Sequence, residues 1–114
     1  VKDERFEDIV AWQKAKTLAI TVYNLFQNCK DFGFRDQILR ATVSIMNNIA
    51  EGFERSTNNE FKHFLFISKG SCGELRSMLY LAKETGKITE SDFNDLYSSS
   101  MEISKMLSGF IKKL

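Results

Sequence analysis

Residues 89–114, TESDFNDLYSSSMEISKMLSGFIKKL, decide the fold. Phe93, Leu96, Ser100, Ile103, Leu107, Phe110 and Leu114 follow one another in alternating steps of three and four. That spacing keeps side chains on one face of a helix, and a period of about 3.5 favours coiled-coil-like packing. A half-buried strand would need alternation instead. Thr89 and Asp92 form a box-like cap at the start, where Glu90 and Asp92 also suit the positive end of the helix dipole. Lys112 and Lys113 suit the negative end.

Working back along the chain, the same periodicity returns three times. Thr57-Asn58-Asn59-Glu60 reads as a capping box that opens a third helix. Phe61, Phe64 or Leu65, Ser68, Cys72, Leu75, Leu79 and Ala82 continue it to Gly86, a terminating residue. Within it, Ser68, Gly70, Ser71, Cys72 and Gly73 are small, and glycine weakens a helix interior, so a close approach by another backbone is predicted there. A second helix is predicted from about Arg35 to Glu54, with Ile38, Ala41, Ile45, Ile49 and Phe53 as its apolar stripe. Beside that stripe runs a polar line of Gln37, Arg40, Ser44, Asn48, Glu51 and Arg55. The first helix is predicted from about Asp8 to Cys29, through Trp12, Ala15, Ala19, Val22 and Phe26. Residues 30–34 break the pattern, and Gly33 is expected to end that helix. No proline interrupts any of the four. Helices of this length joined by short turns must lie antiparallel. The fold class is therefore all-α, an up-down-up-down four-helix bundle, with residues 1–114 as one domain.

Composition narrows the function. With 43% hydrophobic and 27% charged residues the chain is an ordinary globular one, and its ten phenylalanines exceed what a single narrow core needs, a first hint of assembly. A formal charge of +1 excludes a global field for nucleic acid, so any such binding must use a local patch. No apolar run is long enough for a membrane span, and Val1-Lys2-Asp3-Glu4-Arg5 lacks the apolar stretch of a secretion signal, so a cytoplasmic protein that does not engage membranes is expected. Cys29 and Cys72 match no zinc or CxxC spacing and read as reduced structural residues.

His63 is the only histidine, which excludes histidine triads and paired-histidine metal sites and leaves it as a surface residue. Among carboxylates, Glu60 is explained by capping. Glu51 and Glu74 are read as members of an ion-pair network rather than as acid and base. Gly70-Ser71-Cys72-Gly73 is mid-helix and lacks the lysine of a phosphate loop. No catalytic residue, cofactor or metal is expected. Lys62, Lys69, Arg76 and Lys83, spaced by seven, share one helical flank that could track phosphates or could be a solvated face.

Several segments together resemble a known family: Phe6-Glu7-Asp8, Trp12-Gln13-Lys14-Ala15, Gln37-Ile38-Leu39-Arg40-Ala41, Ser44-Ile45 and Asn48-Ile49-Ala50-Glu51-Gly52-Phe53. Glu60-Phe61, Phe64-Leu65, Gly70-Ser71 and Glu74-Leu75 extend the likeness over nearly the whole chain. The chain resembles the bacterial four-helix bundle proteins encoded in intervening sequences of 23S ribosomal RNA genes, the S23-type proteins. It departs at Met46-Asn47, where the family typically has Pro-Ala. The resemblance implies a ring-like homopentamer and a relationship to the basic accessory variability determinant of diversity-generating retroelements. On this reading Gly52 gives close approach, and Arg40, Ser44, Asn48, Glu51, Ser71 and Glu74 form one structural polar network between helices 2 and 3. The expected function is a non-enzymatic, self-assembling interaction protein whose partners are copies of itself, a further protein, or RNA or DNA. The alternative is a nucleic-acid-binding adaptor that uses Lys62, Lys69, Arg76 and Lys83. Phe53, Phe61, Phe64 and Phe66, together with Leu18 and Leu25, are expected outside the narrow core seam, where a neighbouring subunit could cover several of them.

Overall fold

The two capping threonines start helices in the computed structural model, which describes residues 2–114. The Thr57 hydroxyl accepts from the Glu60 N–H at 3.1 Å, and the Thr89 hydroxyl accepts from that of Asp92 at 3.0 Å. Each bond satisfies an amide that a helix start leaves without an internal partner. α3 accordingly spans Asn58–Glu84 and α4 Glu90–Lys112. Between them Gly86 takes a φ of +74°, which a side chain would resist. Its N–H bonds the Lys83 carbonyl at 3.1 Å and that of Lys87 reaches back to Ala82 at 2.8 Å, closing the end of α3 as a Schellman turn.

α1 spans Val10–Phe26 behind a single 3-10 turn at Phe6–Asp8, and α2 spans Phe32–Phe53. Here the expected boundary moves. The Asp31 carboxylate accepts from the Phe34 N–H at 3.3 Å, so Asp31 caps α2. Gly33 sits in the first turn of α2 and does not end α1.

Each helix packs against its neighbour in sequence, α1 closes on α4, and the diagonal pairs stay apart. The result is an antiparallel four-helix bundle of 43 × 22 × 19 Å, its length set by α3 at roughly 1.5 Å per residue. Val22, Ile38, Ile45, Ile49, Leu65, Leu75, Leu79, Ile103 and Leu107 fill the axis with no exposure. Leu18 belongs to this core, whereas Leu25 only packs against its edge. Phe61, expected to face outward, is 4% exposed and is met edge-on by Phe53 at 5.9 Å and Phe110 at 5.2 Å. The space for it comes from Gly52, whose absent β-carbon would lie 2.9 Å from the Phe61 ring and 2.7 Å from the Phe64 β-carbon.

The close approach predicted at Gly70 and Gly73 is not there. A β-carbon at Gly70 would meet nothing within 4 Å, and one at Gly73 only the Arg76 guanidinium at 3.8 Å. The small residues that do meet other helices are serines facing inward. The Ser68 hydroxyl donates to the Ile45 carbonyl at 2.7 Å, and that of Ser100 donates to the Cys72 carbonyl at 3.1 Å. Both hydroxyls are fully buried, and each is satisfied by a helix carbonyl across the bundle.

Candidate interaction surfaces

Three outward faces differ in chemistry. The first is the α2–α3 seam, which holds part of the predicted polar network. The Ser44 and Ser71 hydroxyls lie 2.8 Å apart, and the Asn48 amide donates to the Ser44 carbonyl at 2.8 Å and to its hydroxyl at 2.9 Å. Arg40, Glu51 and Glu74 are not part of this group. Glu51 pairs with Arg55 at 2.7 Å along its own helix, and both side chains are well exposed. Arg40 and Glu74 are also exposed, and neither has an ion-pair partner within 4.0 Å among the described residues. The physical reason is the 3.6-residue turn: a line of steps of three and four drifts around the helix, so its members do not all reach the neighbouring helix. The bonded group is therefore Ser44, Asn48 and Ser71.

The second face lies over the α1–α2 groove. Lys16, Ala19, Ile20, Tyr23, Val43 and Met46 line one shallow depression. Tyr23, Asp36, Leu39, Arg40 and Val43 line its continuation. Ile20 and Tyr23 are each 52% exposed, far more than an apolar side chain needs to be beside an available groove. The sequence reading missed this face, because Ile20 and Tyr23 fall off the stripe that marks the core.

The third face joins α3 to α4. Arg76 donates to the Ser100 hydroxyl at 3.2 Å, and the Lys83 ammonium lies 4.2 Å from the centre of the Phe93 ring. These contacts show that the flank carrying Lys62, Lys69, Arg76 and Lys83 is turned toward α4. Tyr80 packs on Phe93 at 4.9 Å and on Tyr97 at 5.7 Å, and was not singled out from sequence. Of the remaining expected interface residues, Phe66 is outward at 54% exposure, while Phe53 and Phe64 are half-buried. Phe64 carries the Arg55 guanidinium 4.7 Å above its ring, a cation–π contact at the bundle end.

Reactive groups are sparse. No three His, Cys, Asp or Glu side chains among the described residues come together to hold a metal. Burial pushes the Cys72 thiol up to about 11, against the smaller lowering effects of the Arg76 charge and the Ser100 hydroxyl. It is the less reactive thiol form at neutral pH. Cys29 is half-buried and free, and His63 is exposed, its ring edge-on to Phe64 at 5.6 Å. No described helix is long and apolar enough to cross a membrane.

No match was found among curated proteins. Among solved structures, a protein of unknown function from the S23 ribosomal protein family of Bacteroides thetaiotaomicron superposes with a TM-score of 0.84. It shares 28% identity, and the match covers 90% of this chain and 96% of that one. The model of the family described as 23S rRNA-intervening sequence protein matches residues 7–109. With both the bundle and the family pattern running through nearly its whole length, the chain belongs to the 23S rRNA-intervening sequence protein family.

Proposed function

We propose that the protein is a non-enzymatic, self-assembling interaction module that serves an RNA-linked process, and that it assembles head to tail into the five-membered ring implied by its family resemblance. The observation that carries this reading is the apolar groove of Ile20, Tyr23, Val43 and Met46, which the single bundle leaves open. A closed ring needs two unlike patches that fit each other. The second patch is on α3, where Ile67 and Leu81 are 40% and 53% exposed and Glu74 stands midway between them at the same seven-residue spacing. Lys16 and Arg40 border the first patch. Apolar area would meet apolar area, and the glutamate would meet the two cations. Fully burying a side chain the size of Ile or Tyr contributes roughly 1.5–3 kcal/mol, so a few such contacts support a specific interface.

Sedimentation velocity across a wide concentration range tests the reading. The unmodified chain should sediment as a multimer, and Ile20→Lys should sediment as a monomer with unchanged helical circular dichroism. An unmodified chain that stays monomeric at every concentration overturns it.

A further inference from the structure

The seven-residue repeat of Lys62, Lys69, Arg76 and Lys83 places a cation about every 10.5 Å along one flank of α3. Midway between successive cations stand Phe66, Gly73 and Tyr80, on the same repeat. The flank thus alternates positive charge with a flat ring or with no side chain at all. We propose that this strip is a track for single-stranded nucleic acid, with phosphates on the four cations and bases stacked on Phe66 and Tyr80.

The charge is one-sided although the chain as a whole is nearly neutral. None of the four cations has a carboxylate within 4.0 Å among the described residues. Three of the four acids of α4, which borders the strip, are engaged on its α1 side, and the fourth, Glu90, stands seven residues before Tyr97 at the Tyr80 end of the strip. Glu102 pairs with Lys14 of α1 at 3.3 Å, and Asp92 and Asp95 line the α1–α4 cleft beside Thr21 and Asn24. Glu74 lies one helical step beyond Ser71, which bonds α2, so it is on the far flank of α3. Glu84 stands only at the end of the strip. Lys105 and Lys112 stand seven residues apart on α4, two turns and more beyond Tyr97, which packs against Tyr80. They widen the same positive field.

The aromatic groups separate a track from an ordinary solvated face. Phe66 is 54% exposed and Tyr80 49%, so about half of each aromatic side chain faces solvent. Tyr80 is held by Phe93 and Tyr97 and carries the Lys83 ammonium 5.6 Å from its ring centre, so a fixed, half-exposed ring stands directly beside a cation. Base–aromatic stacking tolerates any sequence because every base has a flat face, and it requires bases freed from a duplex. At the middle of the strip Gly73 carries no side chain, and the Arg76 guanidinium lies 3.8 Å from where its β-carbon would stand, a cation lying low on the helix where a sugar-phosphate backbone would pass. The α1–α2 groove is on other helices, and Ile67 and Leu81 are turned about 100° around α3 from Phe66 and Tyr80, so the strip and the proposed assembly patches are different flanks.

Fluorescence anisotropy with labelled oligo(U) and oligo(dT) of about 20 nucleotides, a duplex of equal length and polyglutamate as competitor decides the matter. Both single strands should bind, and the duplex should bind at least about tenfold more weakly because its base faces are covered. Four phosphate contacts predict a slope of about −3 in log affinity against log salt per occupied subunit. Phe66→Leu and Tyr80→Leu should each weaken binding roughly fivefold or more with the slope unchanged. Lys69→Gln should weaken it and flatten the slope by about 0.7. Ile20→Lys, which dissolves the proposed assembly, leaves the strip intact, so its binding reads the track separately from assembly. The proposal falls if neither strand binds at about 50 mM salt, or if duplex or polyglutamate binds as tightly as oligo(U). It falls equally if both leucine variants, folded by circular dichroism, bind as the unmodified chain does.

Discussion

Gly52 lies against Phe64 so closely that a β-carbon on the glycine would stand 2.7 Å from the β-carbon of the phenylalanine. Both atoms would be fixed to helix backbones, so neither could turn aside. Gly52→Ala should destabilise the bundle by about 1–3 kcal/mol, in spite of the roughly 1 kcal/mol by which alanine favours a helix interior. Gly70→Ala meets nothing within 4 Å and should stabilise by up to about 1 kcal/mol. Urea unfolding of the pair checks both signs, and a stabilised Gly52→Ala would contradict the close approach.

The three-residue polar group between α2 and α3 should behave as a coupled unit. Ser44→Ala and Ser71→Ala should each cost about 1 kcal/mol, and the double variant should cost less than their sum, because the 2.8 Å bond between the two hydroxyls is lost only once. Glu74→Ala should change stability by no more than about 0.5 kcal/mol, since the exposed carboxylate has no ion-pair partner within 4.0 Å. The larger cost that a buried ion pair would imply does not apply to this side chain.

Alkaline pH should weaken the fold through Cys72. Its thiol is raised from 9.0 to about 11 by burial, so the unfolded chain loses this proton at lower pH than the folded one. The stabilisation is whole below pH 9.0 and declines as pH rises toward about 11. The shift corresponds to a loss of roughly 2–3 kcal/mol, at about 1.4 kcal/mol per pH unit. Cys72→Ala should unfold more easily at neutral pH and show a flatter decline above it. A thiol reagent at pH 8 should modify Cys29 in the folded protein well before Cys72, which mass spectrometry of peptides resolves.

Capping and periodicity made the starts of α3 and α4 and the turn between them legible to within a residue, because Thr57, Thr89 and Gly86 each act on the backbone beside them. The start of α2 was less legible. Asp31 and Gly33 are both turn-forming types, and only the bond from the Phe34 N–H shows which of them sets the boundary. Packing was harder still, since it depends on which neighbour arrives at a given height of the bundle. Gly52 and Gly70 look alike in sequence, yet one meets two phenylalanines and the other meets solvent. Phe61 and Phe66 differ by five residues, enough to turn one into the core and the other outward. Of the surfaces, the polar line along α2 divides between the seam and solvent. Ser44 and Asn48 reach the seam, whereas Arg40 and Glu51 have rotated past it.

The order in which the helices touch also bears on how the chain reaches this state. Three of the four major seams join neighbours in sequence across connections of a few residues, and α2 against α3 is the most extensive of them. Only the sparse α1–α4 seam must draw together the two ends of the chain, and its loop entropy is the largest. The α2–α3 hairpin should therefore form early as the folding nucleus, and α1 should dock last and open first. In native-state amide exchange, α2 and α3 should exchange only through global unfolding, while α1 shows a lower opening free energy of its own. Equal protection across all four helices would instead make the bundle a single cooperative unit.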